Sequence, residues 1–243
     1  MRRLCSLALV VVPIVLLSLL PVRAATVLDM PEFRMDDPDL AGGLKSAYLA
    51  HQDGRYLEAY ATIKRAILDD DPRAWFFLGW LYEAGRGTQR NVASAMHAYK
   101  KSAEFGNVTA PFRRCNLLLR GTDEQQQEAA EILTKLAETR AADAGLMLGE
   151  AYALGLIGDA PSFEKAQKWW KDSADAGEAR ALINLSLLME GKYGFKEQFN
   201  PDAALEHLRR ASEIGNAVAM AALGSRFLNG REGLRNEEKG LKG

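Results

Sequence analysis

The 243-residue sequence is 48% hydrophobic and carries 31 basic against 32 acidic side chains, a formal net charge of -1. This is the composition of an ordinary globular chain, and it excludes general electrostatic attraction to nucleic acid or anionic lipid. No basic run supplies a local patch for either, so no nucleic-acid partner is expected.

The chain opens MRRLCSLALVVVPIVLLSLLPVRA, with Arg2 and Arg3 ahead of an apolar stretch from Leu4 to Leu20 and then Val22-Arg23-Ala24. Small residues at the third and first positions before a break form the pattern of a secretory signal, with cleavage expected after Ala24. An uncleaved anchor is the alternative. The stretch is short for a spanning helix of ~20 residues, and Pro13 interrupts it. No membrane span is therefore expected after cleavage, and the expected location is periplasmic or secreted. Cys5 lies at the start of this stretch and not at its end, which argues against lipid attachment at the cleavage site, and the only other cysteine is Cys115. An internal disulfide is then impossible, and Cys115, set in a helical pattern, reads as a small buried apolar side chain.

Residues 25–39 form an N-terminal extension. Beyond them an internal repeat emerges. Ala74-x-x-x-Leu78-Gly79-x-x-Tyr82-x-x-Gly85 recurs as Ala144-x-x-x-Leu148-Gly149-x-x-Tyr152-x-x-Gly155, and as Ala219-x-x-x-Leu223-Gly224-x-x-Phe227-x-x-Gly230. A weaker copy holds Ala181, Leu185, Ser186, Met189 and Gly191, and a degenerate one runs from Ala110 to Gly121. The starting alanines lie 36, 34, 37 and 38 residues apart, a period in the range of helical solenoids.

A second helical pattern follows each template. Asn91, Ser162 and Asn200 are suited to capping it, Pro201 to its first turn, and Gly106, Gly177 and Gly215 to its end. Thr122-x-x-Gln125 has the form of a capping box in the degenerate copy. Each unit is thus expected to be a helix, a glycine-bearing loop and a second helix. Glycine inside a helix costs roughly 1 kcal/mol, so Gly79, Gly149 and Gly224 are expected at close helix contacts. The facing residues are expected to be Ala95, Ala166 and Ala204, with Tyr82 and Tyr152 filling the wider end.

This pattern closely resembles the Sel1-like repeat, a relative of the tetratricopeptide repeat. The likeness is strong at 73–107 and 141–178, fair at 179–231 and poor at 108–140, where Arg114-Cys115 stands for the Leu-Gly pair. Upstream, Gly54-Arg55-Tyr56-Leu57-Glu58-Ala59-Tyr60 with Ala66 and Pro72 looks like a tetratricopeptide unit over 40–72. The resemblance implies an all-α fold, a right-handed solenoid of helix-turn-helix units through 73–243 with the last one truncated. After Gly230 there is little room for a second helix. Leu223 and Phe227 are expected to be incompletely covered unless a tail, a partner or self-association through this end closes them, and residues from about Arg231 onward are expected to be mobile.

Catalytic constellations are nearly missing. His51, His97 and His207 are isolated, with no metal-binding spacing, and the glycines of the loops lack the strand-to-helix setting that cradles phosphate. No catalytic residue, metal or cofactor is expected. Some relatives of this family have been described as acting on β-lactams, and Ser162-Phe163-Glu164-Lys165 formally fits a Ser-x-x-Lys motif. Ser162 stands at a cap position, however, and the Ser-Asp-Asn and Lys-Thr-Gly partners do not occur.

Binding remains. In tetratricopeptide geometry the first helix of each unit lines the concave face, and its outward positions here include Tyr48, Phe76, Trp80, Phe112, Asn116 and Glu150. These are the candidate partner-binding residues. The competing reading buries the aromatic ones between units, because AWFFLGWLY is apolar all round its helix. The leading functional expectation is a non-catalytic exported adaptor that binds a protein or peptide partner in the bacterial envelope. A glycan binder stacking sugars on Phe76, Trp80 and Phe112 is the second, and a weak envelope hydrolase using Ser162 the third.

Overall fold

Side chains that fold back onto free backbone N–H groups set the starts of most helices. The computed structural model describes residues 42–67, 70–139 and 141–240, with residues 229–240 as backbone only. The expected export signal and the extension to residue 39 lie outside the described residues. Two helices, α1 (Gly42–Gln52) and α2 (Tyr56–Ala66), form the first hairpin. Then follow α3 (Pro72–Ala84), started by the Asp71 carboxylate, and α4 (Val92–Glu104), started by Asn91. The degenerate copy forms α5 (Ala110–Leu118) and α6 (Asp123–Glu138), the latter opened by the Thr122/Gln125 capping box. Next come α7 (Ala142–Ala153) and α8 (Phe163–Asp175), then α9 (Ala179–Met189) and α10 (Pro201–Glu213), and finally α11 (Ala217–Gly240). Ser162 and Asn200 cap α8 and α10 as their spacing predicts. There is no strand among the described residues.

The repeats reproduce one another bond by bond. The loop residue ahead of each second helix donates its N–H to the end of the first helix: Asn91 to the Tyr82 carbonyl at 2.9 Å, Ser162 to Tyr152 at 2.9 Å, Asn200 to Met189 at 2.7 Å. Near the other end of the hairpin, the buried hydroxyls of Ser102 and Ser173 donate to the carbonyls of Pro72 and Ala142, at 2.6 and 2.7 Å. Unit joins unit through apolar clusters shared between successive hairpins, and Arg180 of α9 reaches Asp143 of α7 at 2.6 Å. The hairpin turn after α3 depends on Gly85 and Gly87, both in the left-handed region at φ 67° and 70°, and a Cβ on Gly87 would collide with the Tyr56 carbonyl.

The helix-interior glycines do pack closely, but against a different neighbour from the one expected. A Cβ on Gly79 would lie 2.8 Å from the Tyr99 ring, and one on Gly149 would lie 2.5 Å from the Trp170 indole. Each glycine makes room for a large ring, not for the alanine one turn earlier. Ala95 and Ala166 are fully buried on the same stripe. At Gly224 a Cβ would meet nothing within 4 Å, so the expected contact with Ala204 does not form.

The C-terminal end also departs from the expectation. The α11 helix runs through Gly230 to Gly240 as one element, with no loop at the template glycine. The second loop glycine, present at Gly87, is replaced by Glu232, and the residues beyond are mostly good helix formers. Leu223 is partly buried and Phe227 is 63% exposed, the incomplete cover expected for both.

Candidate functional site

The first helices of the units present the predicted binding positions in two distinct states. Tyr48, Phe76 and Trp80 are 5%, 6% and 3% exposed. Trp80 stacks on Phe77 with ring centres 6.0 Å apart and meets His51 edge-on at 5.0 Å, while Phe76 leans on Tyr99 at 5.3 Å. The exposed aromatic patch is therefore corrected to core. A helix that is apolar all round needs cover on every side, and the neighbouring hairpins supply it. Phe76 and Trp80 are consequently closed to a sugar ring.

Phe112, Asn116 and Glu150 remain half-buried and border solvent. Between them on the same faces lie Arg113 and Met147, and the row continues on α9 with Ile183, Asn184 and Leu187, all half-buried. Glu150 has a neighbour that the sequence does not announce. The loop joining α9 to α10 is long and makes two tight turns, with Tyr193 held at φ 62°. Its ring packs on Trp170 at 5.5 Å, and burial together with the nearby Glu150 charge raises the phenol pKa. This loop thus sets the Tyr193 ring against Trp170 and near Glu150, both of the preceding unit.

A second surface was not among the predicted positions. Between α6 and the Gly155–Asp159 stretch lies an open groove of about 840 Å³, lined by Asp123, Glu124, Glu128, Glu131 and Asp159 with Gln126 and Gln127. It runs into a recess of about 430 Å³ whose walls add Lys135, Glu138, Tyr152 and Lys165. The hairpin loop at 119–122 is shorter than the loops that follow α3, α7 and α9. The stripe Glu124, Glu128, Glu131, Lys135 and Glu138, at helical spacing, was the available sequence signal.

The chemistry elsewhere is structural. The Ser162 hydroxyl accepts the Lys165 backbone N–H at 3.4 Å, while the Lys165 ammonium lies 5.0 Å over the Tyr152 ring. The pair is a helix cap beside a cation–π contact. The Cys115 thiol is fully buried, its sulfur 3.9 Å from the Ala129 carbonyl, and burial pushes its pKa up to about 12. Among the described residues no group of three or more His, Cys, Asp or Glu side chains is placed to hold a metal ion. No helix among them is long and apolar enough to cross a membrane.

This architecture has known counterparts. The chain superposes on a Sel1 repeat protein from Oxalobacter formigenes with a TM-score of 0.51 and 25% identity, covering 74% of this chain and 71% of that one. A protective antigen of uropathogenic Escherichia coli strains, displaying an SLR fold, matches with a TM-score of 0.56 and 25% identity over 77% of this chain and 41% of the antigen. By sequence, 174 residues are 23% identical to chitin synthase regulatory factor 3 of Schizosaccharomyces pombe, 69% of this chain but only 19% of that protein's length. Residues 72–107, 140–178, 179–216 and 217–242 each match the Sel1 repeat, more than half of the sequence. With its hairpins, its repeated bonds and these matches, the chain belongs to the Sel1 repeat family.

Proposed function

We propose that this protein is a non-catalytic adaptor, exported to the bacterial envelope, that binds a protein or peptide partner along the concave row of first helices. Sel1 repeat proteins generally mediate protein–protein interaction. The observation that carries the reading is the row Phe112, Asn116 and Glu150, which joins apolar, amide and charged groups at half-buried positions of α5 and α7. Such mixed, partly desolvated positions suit peptide recognition, where a few anchors supply most of the affinity. The arginine-led apolar segment ending at Ala24 supports export.

Crosslinking capture from an envelope extract tests the proposal, comparing the native protein with Asn116→Arg and Glu150→Arg variants whose urea midpoints match it. A partner captured by the native protein and lost by both variants is the expected result. Equal capture by all three would refute the assignment of the row. Export is checked separately by N-terminal sequencing, which should begin at Ala25.

A further inference from the structure

The hairpin of α7 and α8 departs from its neighbours at four places that meet in space. Gly145 stands where α3 has Trp75 and α9 has Leu182, each directly after the template alanine. With the second helices aligned on Ala95, Ala166 and Ala204, Trp169 replaces Ala98 and His207, and Asp172 replaces Lys101 and Arg210. In the same register Ala176 replaces Phe105 and Ile214. All four line one recess of about 380 Å³ between α6 and α8, floored by Ala137, Ala141 and Ala142 and bordered by Asp175. A Cβ on Gly145 would lie 3.1 Å from the Ser173 Cβ and from the Trp169 carbonyl oxygen, so α8 lies close on α7 and the small residues leave the remaining space open. Where other units put bulk and a cation, this one puts small side chains, a ring and a carboxylate.

We propose that this recess takes an arginine side chain of a partner protein. The alanine floor suits the aliphatic stem, the half-buried Trp169 indole offers a face for the flat guanidinium, and Asp172 and Asp175 accept its N–H groups. None of the described residues that line the recess is basic, so charge selects a cation over a neutral sugar, which the ring alone could also stack. The chain already shows the chemistry on a cation of its own. The Lys168 ammonium lies 4.0 Å over the Trp169 ring and 2.8 Å from the Asp172 carboxylate. Asp175 has Arg210 at 4.0 Å. Both pairs are exposed and contribute little to stability, and each carboxylate keeps lone pairs for a further donor. The recess shares no residue with the row Phe112, Asn116 and Glu150, so it stands whatever binds there.

Titrating the isotope-labelled protein with N-acetylarginine methylamide, and following the indole N–H signals by NMR, tests this. The expected result is a saturable shift of the Trp169 signal with a millimolar dissociation constant, while Trp170, held on the Leu146 carbonyl, stays in place. The neutral citrulline analogue, equal in shape, should bind about tenfold more weakly or worse. Asp172→Asn should weaken the arginine probe to a similar degree, and because Asp172 is exposed its urea midpoint should match the native protein's. Trp169→Ala identifies the signal. No saturable shift up to the solubility of the probe overturns the proposal, as does equal binding of the citrulline analogue or indifference to Asp172→Asn. A disaccharide of N-acetylglucosamine that saturates the Trp169 shift where the arginine probe does not would assign the recess to glycan and overturn it equally.

Discussion

Replacing Gly149 by alanine adds one methyl group to the tightest contact of a helix-interior glycine among the described residues. That methyl carbon would lie 2.5 Å from both Cδ1 and Nε1 of Trp170, about 1 Å inside ordinary carbon contact. The indole has nowhere to retreat. It is fully buried, its N–H donates to the Leu146 carbonyl at 3.1 Å, and Tyr193 packs on it from the next loop. Overpacking of this kind costs about 1–3 kcal/mol, and distorting the indole hydrogen bond adds up to about 1 kcal/mol. Alanine's better helix propensity offsets about 1 kcal/mol. The net expectation is a loss of about 1–3 kcal/mol, or roughly 3–10 °C in Tm for a chain of this size. Gly224 supplies the control, since it holds the same repeat position with nothing within 4 Å. There the propensity term stands alone, and Gly224→Ala should gain up to about 1 kcal/mol in the monomer. Urea unfolding at low protein concentration, read as midpoints at constant m, measures both. A Gly149→Ala variant as stable as the native protein, or two substitutions that shift stability in the same direction, would refute the reasoning.

Trp80→Ala should cost about 3–5 kcal/mol of folding stability, because the ring is 3% exposed between Phe77 and His51, and partner affinity of the fraction that stays folded should be normal. Cys115 should resist thiol reagents at about pH 8 until denaturant is added, as mass mapping of the labelled peptide would show, since its pKa is pushed up to about 12. Acidification should destabilise the fold through His51 and His207, whose pKa values burial lowers below the ordinary 6.5, with nearby cations adding to the effect. The unfolded chain takes up those protons first, so stability is complete above about pH 6.5 and is lost as pH falls toward the folded-state values. His51→Phe and His207→Phe together should flatten the urea midpoint measured across that range, and an unchanged slope would exclude these two groups as its source.

The helix starts were legible because a cap is a local device. Asn91, Ser162 and Asn200 need only their own next three residues to act, and each accepts the expected backbone N–H. The partner of each glycine was less legible. Ala95 and Tyr99 lie on one buried stripe, as do Ala166 and Trp170, and periodicity alone does not fix which of the two meets the glycine. That choice depends on how the two helices are rotated and crossed, which is a property of the pair. The fate of Phe76 and Trp80 was ambiguous for a related reason: an apolar helix surface reads the same whether a neighbouring unit or a partner covers it. The groove beside α6 is shared with the Gly155–Asp159 stretch of the next unit, a relation between units that no single motif contains.

The repeat is weakest where the candidate binding features gather. The Sel1 matches pass over residues 108–139, the unit of α5 and α6. Here the glycine–ring pair is gone: Cys115 stands at the glycine position, and its sulfur rests against the Ala129 carbonyl. The first helix is only nine residues long, and the hairpin loop is the shortest in the repeat region. Half-exposed Phe112 and Asn116 and most of the acidic groove belong to this unit. The association has a physical basis. Tight glycine–ring contacts commit both faces of a hairpin to packing, which leaves its surface little freedom to vary. Relaxing that contact in one unit, with locked hairpins at α3–α4 and α7–α8 on either side, would leave side chains for the proposed recognition while the flanking units hold their positions. Stability in a solenoid is set between neighbours, so two well-packed units can carry a looser one between them. The unit least faithful to the repeat is therefore the one in which a partner-specific surface disturbs the fold least.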